Sequence, residues 1–221
     1  MISAENYISE LIVKLKESFG SRLCYVGLQG SYLRGEATDT SDIDIMAVIE
    51  DLDVPDLAAY RRIIEQMPDF DKSCGFICSK RDMANWNPME ICHLLNTTRD
   101  YFDTLSELVP GFTEQDVRNF VKMSVNNLYH EICHRYIHGA AEANRECLPF
   151  TYKAVFFILQ NLHYLRTGIF ASTKIELLAL LEGTDRDVLA HSMALGRGES
   201  FDFNHSFRLL FRWCQDTMAN L

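Results

Sequence analysis

The chain has 221 residues, 48% of them hydrophobic, enough apolar material for one large or two small domains. A net charge of −10 lacks the basic surface that a nonspecific nucleic-acid binder needs, so no nucleic-acid partner is expected. No apolar run is long enough to span a bilayer, and the charged, helix-periodic start MISAENYISELIVKLKES is unlike a signal peptide. Seven scattered cysteines without a C-x-x-C pair fit reduced thiols and a cytoplasmic location with no membrane partner.

In chain order, Tyr7, Ile8, Leu11, Ile12 and Leu15 form one stripe and predict an amphipathic helix over 5–18, with Gly20 as its stop. LCYVGLQ (23–29) and residues 42–49 read as two strands flanking a polar run. Asp53-Val54-Pro55-Asp56 is a helix entry, and a helix over 56–67 breaks at Met67-Pro68-Asp69. A third strand fits Ser73–Ser79, followed by the polar KRDMANWNP and helices over 88–96 and 98–108. Val109-Pro110-Gly111 is the clearest break. Beyond it everything reads helical. Thr113 with Asp116 gives a capping-box-like start to a helix ending at His138 and Gly139. Further helices are expected over 150–167, from Ser172 or Thr173, from Thr184, and over 203–220. The expected fold is α+β: a small mixed β-sheet with flanking helices in residues 1–110, then an all-α helical bundle in 111–221.

The most informative run is GSYLRGEATDTSDIDI (30–45). It is a Gly-Ser turn after an apolar strand, a ten-residue gap, and two aspartates one residue apart inside the next apolar strand. Side chains alternate along a strand, so Asp42 and Asp44 are expected on one face, with Ile43 and Ile45 on the other. Two like carboxylates side by side repel unless a cation lies between them. Hard oxygen ligands suit Mg²⁺, which usually takes one or two carboxylates together with substrate phosphates. Gly30 lets the backbone approach a ligand closely, and Ser31 supplies a hydroxyl in a turn whose amides face phosphate oxygens.

This run resembles the signature of the DNA polymerase β-like nucleotidyltransferase superfamily, and its RGEA…SDIDI wording is closest to the small bacterial, kanamycin/lincosamide nucleotidyltransferase-like members. The resemblance proper covers residues 23–50; a looser likeness lies in YKAVFFILQNLHYLRTG (152–168). It implies a helical domain beside the sheet that walls the acceptor site. It further implies a nucleoside triphosphate, ATP first, one or two Mg²⁺ ions held by Asp42 and Asp44, and triphosphate contacts from Gly30, Ser31 and Arg34. The reaction it implies is transfer of a nucleoside monophosphate to a hydroxyl of a small, antibiotic-like acceptor, with pyrophosphate released. A homodimer that completes the active site is an option in the family. The family's third-strand carboxylate is missing from SCGFICS, with Asp71 before and Asp82 after it. Some drug-modifying relatives take a base from the helical domain, a Glu with a Lys one turn later. Glu131 with Arg135 at i, i+4 is the match here, against the alternative of a plain helix-face ion pair. Lys153 and Tyr152 are the candidate triphosphate and nucleotide contacts, against the alternative of helix-surface packing.

Four alternatives stand beside this reading. A protein acceptor is expected in antitoxin-type AMP-transferring members. Loss of the third carboxylate suits a degenerate module that only binds nucleotides. His130-Glu131-Ile132-Cys133-His134, with His138 repeating the spacing, is the short pattern of a zinc metalloprotease helix; it leaves the Gly-Ser and Asp-x-Asp run unexplained, and a histidine-lined pocket or face is the competing account. Arg186 to His191 resembles a HEPN-type ribonuclease signature, amid acidic neighbours.

Overall fold

The computed structural model describes residues 3–221; Met1 and Ile2, the start of the charged N-terminal run, lie outside them. The chain divides into two units, Met1–Gly111 and Phe112–Leu221.

In the first unit, α1 (Ala4–Phe19) leads into β1 (Leu23–Gln29). A short α2 (Gly30–Leu33) and a loop connect β1 to β2 (Ile43–Ile49). Then follow α3 (Val54–Ile64), β3 (Ser73–Ser79), α4 (Lys80–Ala84), α5 (Pro88–Asn96) and β4 (Arg99–Phe102). The sheet is mixed, in the order β3-β2-β1-β4. β1 is antiparallel to β2 and β4, and β2 is parallel to β3.

Alternation along β2 decides what faces what. Ile43, Ile45, Ala47 and Ile49 join the α1 stripe of Tyr7, Ile8, Leu11, Leu15 and Phe19 in one core. Each fully buried Leu or Ile here contributes roughly 1.5–3 kcal/mol relative to exposure. The intervening residues Asp44, Met46 and Val48 project from the other face, which α4 partly covers. Capping boxes fix the starts of α3 (Asp53 with Asp56) and α4 (Ser79 with Asp82).

The second unit consists of α6 (Glu114–His138), α7 (Ala141–Thr151), α8 (Lys153–Thr167), α9 (Lys174–Leu180), α10 (Gly183–Gly196) and α11 (Phe203–Ala219). α6 packs on α8 and α11, and α10 on α8 and α11, around a core that includes Trp213, Tyr152 and Phe156. The Thr113–Asp116 capping box forms at the start of α6. Asp185 accepts from Trp213 Nε1 and from Arg166 Nη1, both at 2.7 Å. The Ser206 carbonyl accepts the Tyr152 hydroxyl at 2.7 Å, while its own hydroxyl meets His191 Nε2 at 2.8 Å.

The mixed sheet followed by helices is the fold class expected from sequence; three local expectations are corrected. The helix over 98–108 is instead β4 and a 3-10 turn at Leu105–Glu107. The β1 edge offers unpaired backbone groups, the buried Tyr25 hydroxyl donates to Asp100 at 2.5 Å, and Asp103 has φ 63°, which no right-handed helix admits. The polar KRDMANWNP contains α4, started by its capping box. The helix over 150–167 is α8 preceded by a separate α7, with Pro149 in the last turn of α7.

Gly75 lies in β3 beside the registered Ile45, with φ 116°. A β-carbon there would sit 1.9 Å from the Ile45 carbonyl oxygen, a backbone atom that cannot swing aside. Gly75→Ala is expected to destabilise the chain by at least ~2 kcal/mol, read as a lower urea midpoint with unchanged slope.

Candidate active site

The site begins where β1 ends. Gln29, the last residue of β1, is registered against Asp44, and Asp44 is registered against Cys74 of β3. Gln29 Nε2 donates to Thr98 Oγ1 at 2.8 Å. Polar side chains thus run in a row across one end of the sheet's second face, where the rest of β1 and β2 is apolar.

Gly30 turns the chain out of β1 with φ 70°. A β-carbon at this position would stand 1.8 Å from Asp44 Oδ2, so the carboxylate occupies the space that any other residue would fill. The turn is closed by Arg34 N–H to the Gly30 carbonyl at 3.3 Å and Glu36 N–H to the Ser31 carbonyl at 2.9 Å. Ser31 is half-buried within it. The Arg34 guanidinium pairs with Glu36 at 2.9 Å, and its charge acts on both Asp44 and His93.

Asp44 is half-buried and Asp42 exposed. Asp42 is not in the strand: β2 starts at Ile43, so the first aspartate stands on the last loop residue, after the Thr38–Ser41 turn. Burial holds the Asp44 carboxyl above the usual carboxylate range; a Cys74 hydrogen bond pulls it down, the Asp42 charge raises it, and Arg34 lowers it. The Cys74 residue is exposed; its thiol is nonetheless pushed up, first by partial desolvation and then by the charges of Asp44 and Asp42. Neither acidic neighbour of β3 supplies a third carboxylate to this row. Asp82 is spent on the α4 capping box, bonded to Ser79 N–H at 2.9 Å, and Asp71 lies exposed in the Phe70–Lys72 turn.

The site residues expected in the helical unit have local roles of their own. Glu131 Oε1 accepts from Arg135 Nε at 3.0 Å and from Thr151 Oγ1 at 3.3 Å, and both its side chain and that of Arg135 remain partly open to solvent. Tyr152 is fully buried, so its ring is core in this unit. Lys153 Nζ lies 4.7 Å from the centre of the exposed Phe150 ring. His130, His134 and His138 form an exposed stripe on α6, with successive ring centres 6.0 and 4.9 Å apart. Among the described residues no three His, Cys, Asp or Glu side chains are grouped to hold a metal ion, so the metalloprotease reading lacks its ligand set. The ribonuclease reading also lacks support. Five residues of α-helix put Arg186 and His191 well apart around α10, and the His191 ring is engaged with Ser206.

Residues 8–73 match the family model of the nucleotidyltransferase domain, from α1 through the Gly-Ser turn and the aspartates to the first residue of β3. The match lies within the first unit. The whole chain is similar in fold to spectinomycin adenyltransferase AAD(9) from Enterococcus faecialis, solved with ATP and spectinomycin. The TM-score is 0.60 at 13% identity, over 97% of this chain and 99% of that one. No curated protein matches the chain in sequence. No helix among the described residues is long and apolar enough to cross a membrane.

Two residues beside this site carry no signal in the sequence that marks them. Cys74 becomes visible only once the parallel β2–β3 register is known. His93, on α5, carries no sequence signal at all; burial and Arg34 push its imidazole down to about 4. The sign of its effect follows. As pH falls from the ordinary 6.5 toward 4, the unfolded chain takes up this proton before the folded one, so His93 costs stability in that window. Thermal melting across the window is expected to show a steeper acid loss for the wild type than for His93→Gln.

Proposed function

We propose that the chain is a nucleotidyltransferase that moves a nucleoside monophosphate, AMP from ATP in the first instance, onto a hydroxyl of a small-molecule acceptor and releases pyrophosphate. The observation that carries this reading is the packing of the Asp44 carboxylate against Gly30 of the Gly-Ser turn, with Asp42 close enough for its charge to act on Asp44.

The donor set fits a divalent cation. A partly desolvated carboxylate beside a second one is electrostatically frustrated without a counter-charge, and two carboxylates plus substrate phosphates suit Mg²⁺. Asp42 and Asp44 would hold it. When bound, such an ion supplies charge neutralisation around the reacting phosphates. Gly30 and Ser31 bind the β- and γ-phosphates through backbone amide and hydroxyl donors, and Arg34 adds positive charge nearby. Lys153 is a further candidate for the triphosphate. Glu131 is the candidate base that takes the acceptor's proton. The acceptor oxygen attacks the α-phosphorus, the bond to the bridging oxygen breaks, and the electron pair leaves with pyrophosphate.

Spectinomycin and other hydroxylated antibiotics are the first acceptors to try, because the structural neighbour was solved with that compound. A nucleotide-binding module without turnover is the second reading, favoured by the lack of any carboxylate in β3, SCGFICS.

The test is pyrophosphate release from each ribonucleoside triphosphate with Mg²⁺ and a panel of acceptors. Asp42→Asn with Asp44→Asn is expected to lower acceptor-dependent release about a thousandfold or more, with the circular dichroism spectrum unchanged. Binding of MgATP without release against any acceptor, small molecule or protein, would favour the second reading. In the same assay Glu131→Gln is expected to lower turnover by about 10²-fold or more with little change in the KM for ATP. Unchanged turnover would reduce Glu131 to the ion pair it makes with Arg135.

A further inference from the structure

The nucleotidyltransferase reading uses none of the three histidines of α6. His130, His134 and His138 recur every fourth residue, so they stand one above another on one face of the helix. All three are exposed. Among the described residues none of the three imidazoles has a hydrogen-bond or ion-pair partner, so their ring nitrogens are open to a ligand.

The spacing of the rings decides what they can hold. An imidazole nitrogen binds Zn²⁺ at about 2 Å, which places the ring centre about 3 Å from the ion; two rings on one ion then have centres roughly 4.5–5.2 Å apart. His134 and His138 have ring centres 4.9 Å apart, within that range. His130 and His134 are 6.0 Å apart, outside it. The closer pair also lies at the C-terminal end of α6, where unpaired carbonyls carry negative partial charge that favours a cation. That end of the helix is pinned. The Arg135 carbonyl accepts from Gly139 N–H at 2.8 Å and from Asn144 Nδ2 at 2.7 Å. The positive charge of Arg135 is offset by Glu131 at 3.0 Å. Beside the rings is a recess of about 460 Å³, lined by the three histidines, Glu131, Arg135 and Asn144.

We propose that His134 and His138 form a two-point site for a borderline transition-metal ion, Zn²⁺ in the first instance, with its remaining coordination positions open to that recess. Imidazole suits Zn²⁺, Ni²⁺ and Cu²⁺, whereas Mg²⁺ takes oxygen ligands. The site therefore differs in chemistry from the Asp42–Asp44 pair, and Mg²⁺ does not compete for it. Two protein ligands fall short of the four that close a structural zinc site, so the ion is held reversibly and a small ligand in the recess can complete its shell. The two histidines would bind the ion whether or not the chain transfers nucleotides.

The probe is Zn²⁺, titrated calorimetrically into the full chain without a histidine tag, in the presence of excess Mg²⁺. The proteins are the wild type, the single variants His130→Gln, His134→Gln and His138→Gln, and the His134→Gln/His138→Gln double variant. All three side chains are exposed, so the variants are expected to melt with the wild type. His134→Gln and His138→Gln are each expected to weaken Zn²⁺ binding about tenfold or more, since losing even an outer partner of a metal ligand costs that much. His130→Gln is expected to stay within about twofold of the wild type, because its ring lies outside the bridging distance. No uptake of Zn²⁺ by the wild type would overturn the site. Binding unchanged in the double variant, as ligation by the exposed Cys74 thiol would give, would overturn it too. Equal losses in all three single variants would overturn the assignment to His134 and His138, and displacement of the ion by Mg²⁺ would overturn its imidazole chemistry.

Discussion

The first unit turns on a register. Gln29 and Asp44 are opposed across the antiparallel β1–β2 pair, and that opposition sets the carboxylate against the bare Cα of Gly30. The register is pinned by the far face of the same strand. Ile43, Ile45, Ala47 and Ile49 lie in the core against α1, and a slip of one residue would drive Asp44 into that core and bring four apolar side chains out of it. The hydrophobic effect, acting on residues with no chemistry of their own, thus holds the chemical group in place. The expense is visible at Asp44: a carboxylate made harder to ionise by its burial and by its neighbour.

The helical unit solves a different problem. Its helices bury long apolar faces that on their own leave sliding cheap, and a few polar ties remove that freedom. Asp185 binds Trp213 and Arg166, joining α10 to α11 and α8. Ser206 on α11 receives Tyr152 at its carbonyl and His191 of α10 at its hydroxyl. The Tyr152 bond is buried and those of His191 and Trp213 are half-buried; bonds of this kind are costly to leave half-made, so they select one helix register from several of similar packing energy. Tyr152 belongs to this framework, and that explains why its ring is fully buried.

Much of this was legible in the sequence because the decisive information is local. The α1 stripe, the two strands around the Gly-Ser turn, and the Thr113–Asp116 box each lie within one window of periodicity or capping chemistry. The Gly-Ser turn and the aspartates that follow it are close in sequence, whereas the Gly30–Asp44 contact itself appears only with the β1–β2 register. What was not legible depends on partners far along the chain. β4 is four residues long and reads as a strand only because the β1 edge and the Tyr25 hydroxyl receive it. The helix expected over 150–167 is α8 with a separate α7 ahead of it, and Pro149 lies in the last turn of α7. Cys74 has no signal in its own neighbourhood, since its meaning comes from pairing thirty residues away with Asp44. His93 acquires its character from burial and from Arg34, neither of which composition or period reveals.

The chain's two tryptophans fall one to each unit. Trp86 is stacked on Phe76 of β3, the strand that also carries Cys74, with ring centres 5.8 Å apart and its indole nitrogen bound to Glu90 at 2.7 Å. Trp213 is sealed in the bundle, only 1% exposed. The half-buried indole is expected to emit to the red of the sealed one, which would give each half its own optical reporter. A disturbance of the β3 edge colours one emission band, and loosening of the helices colours the other.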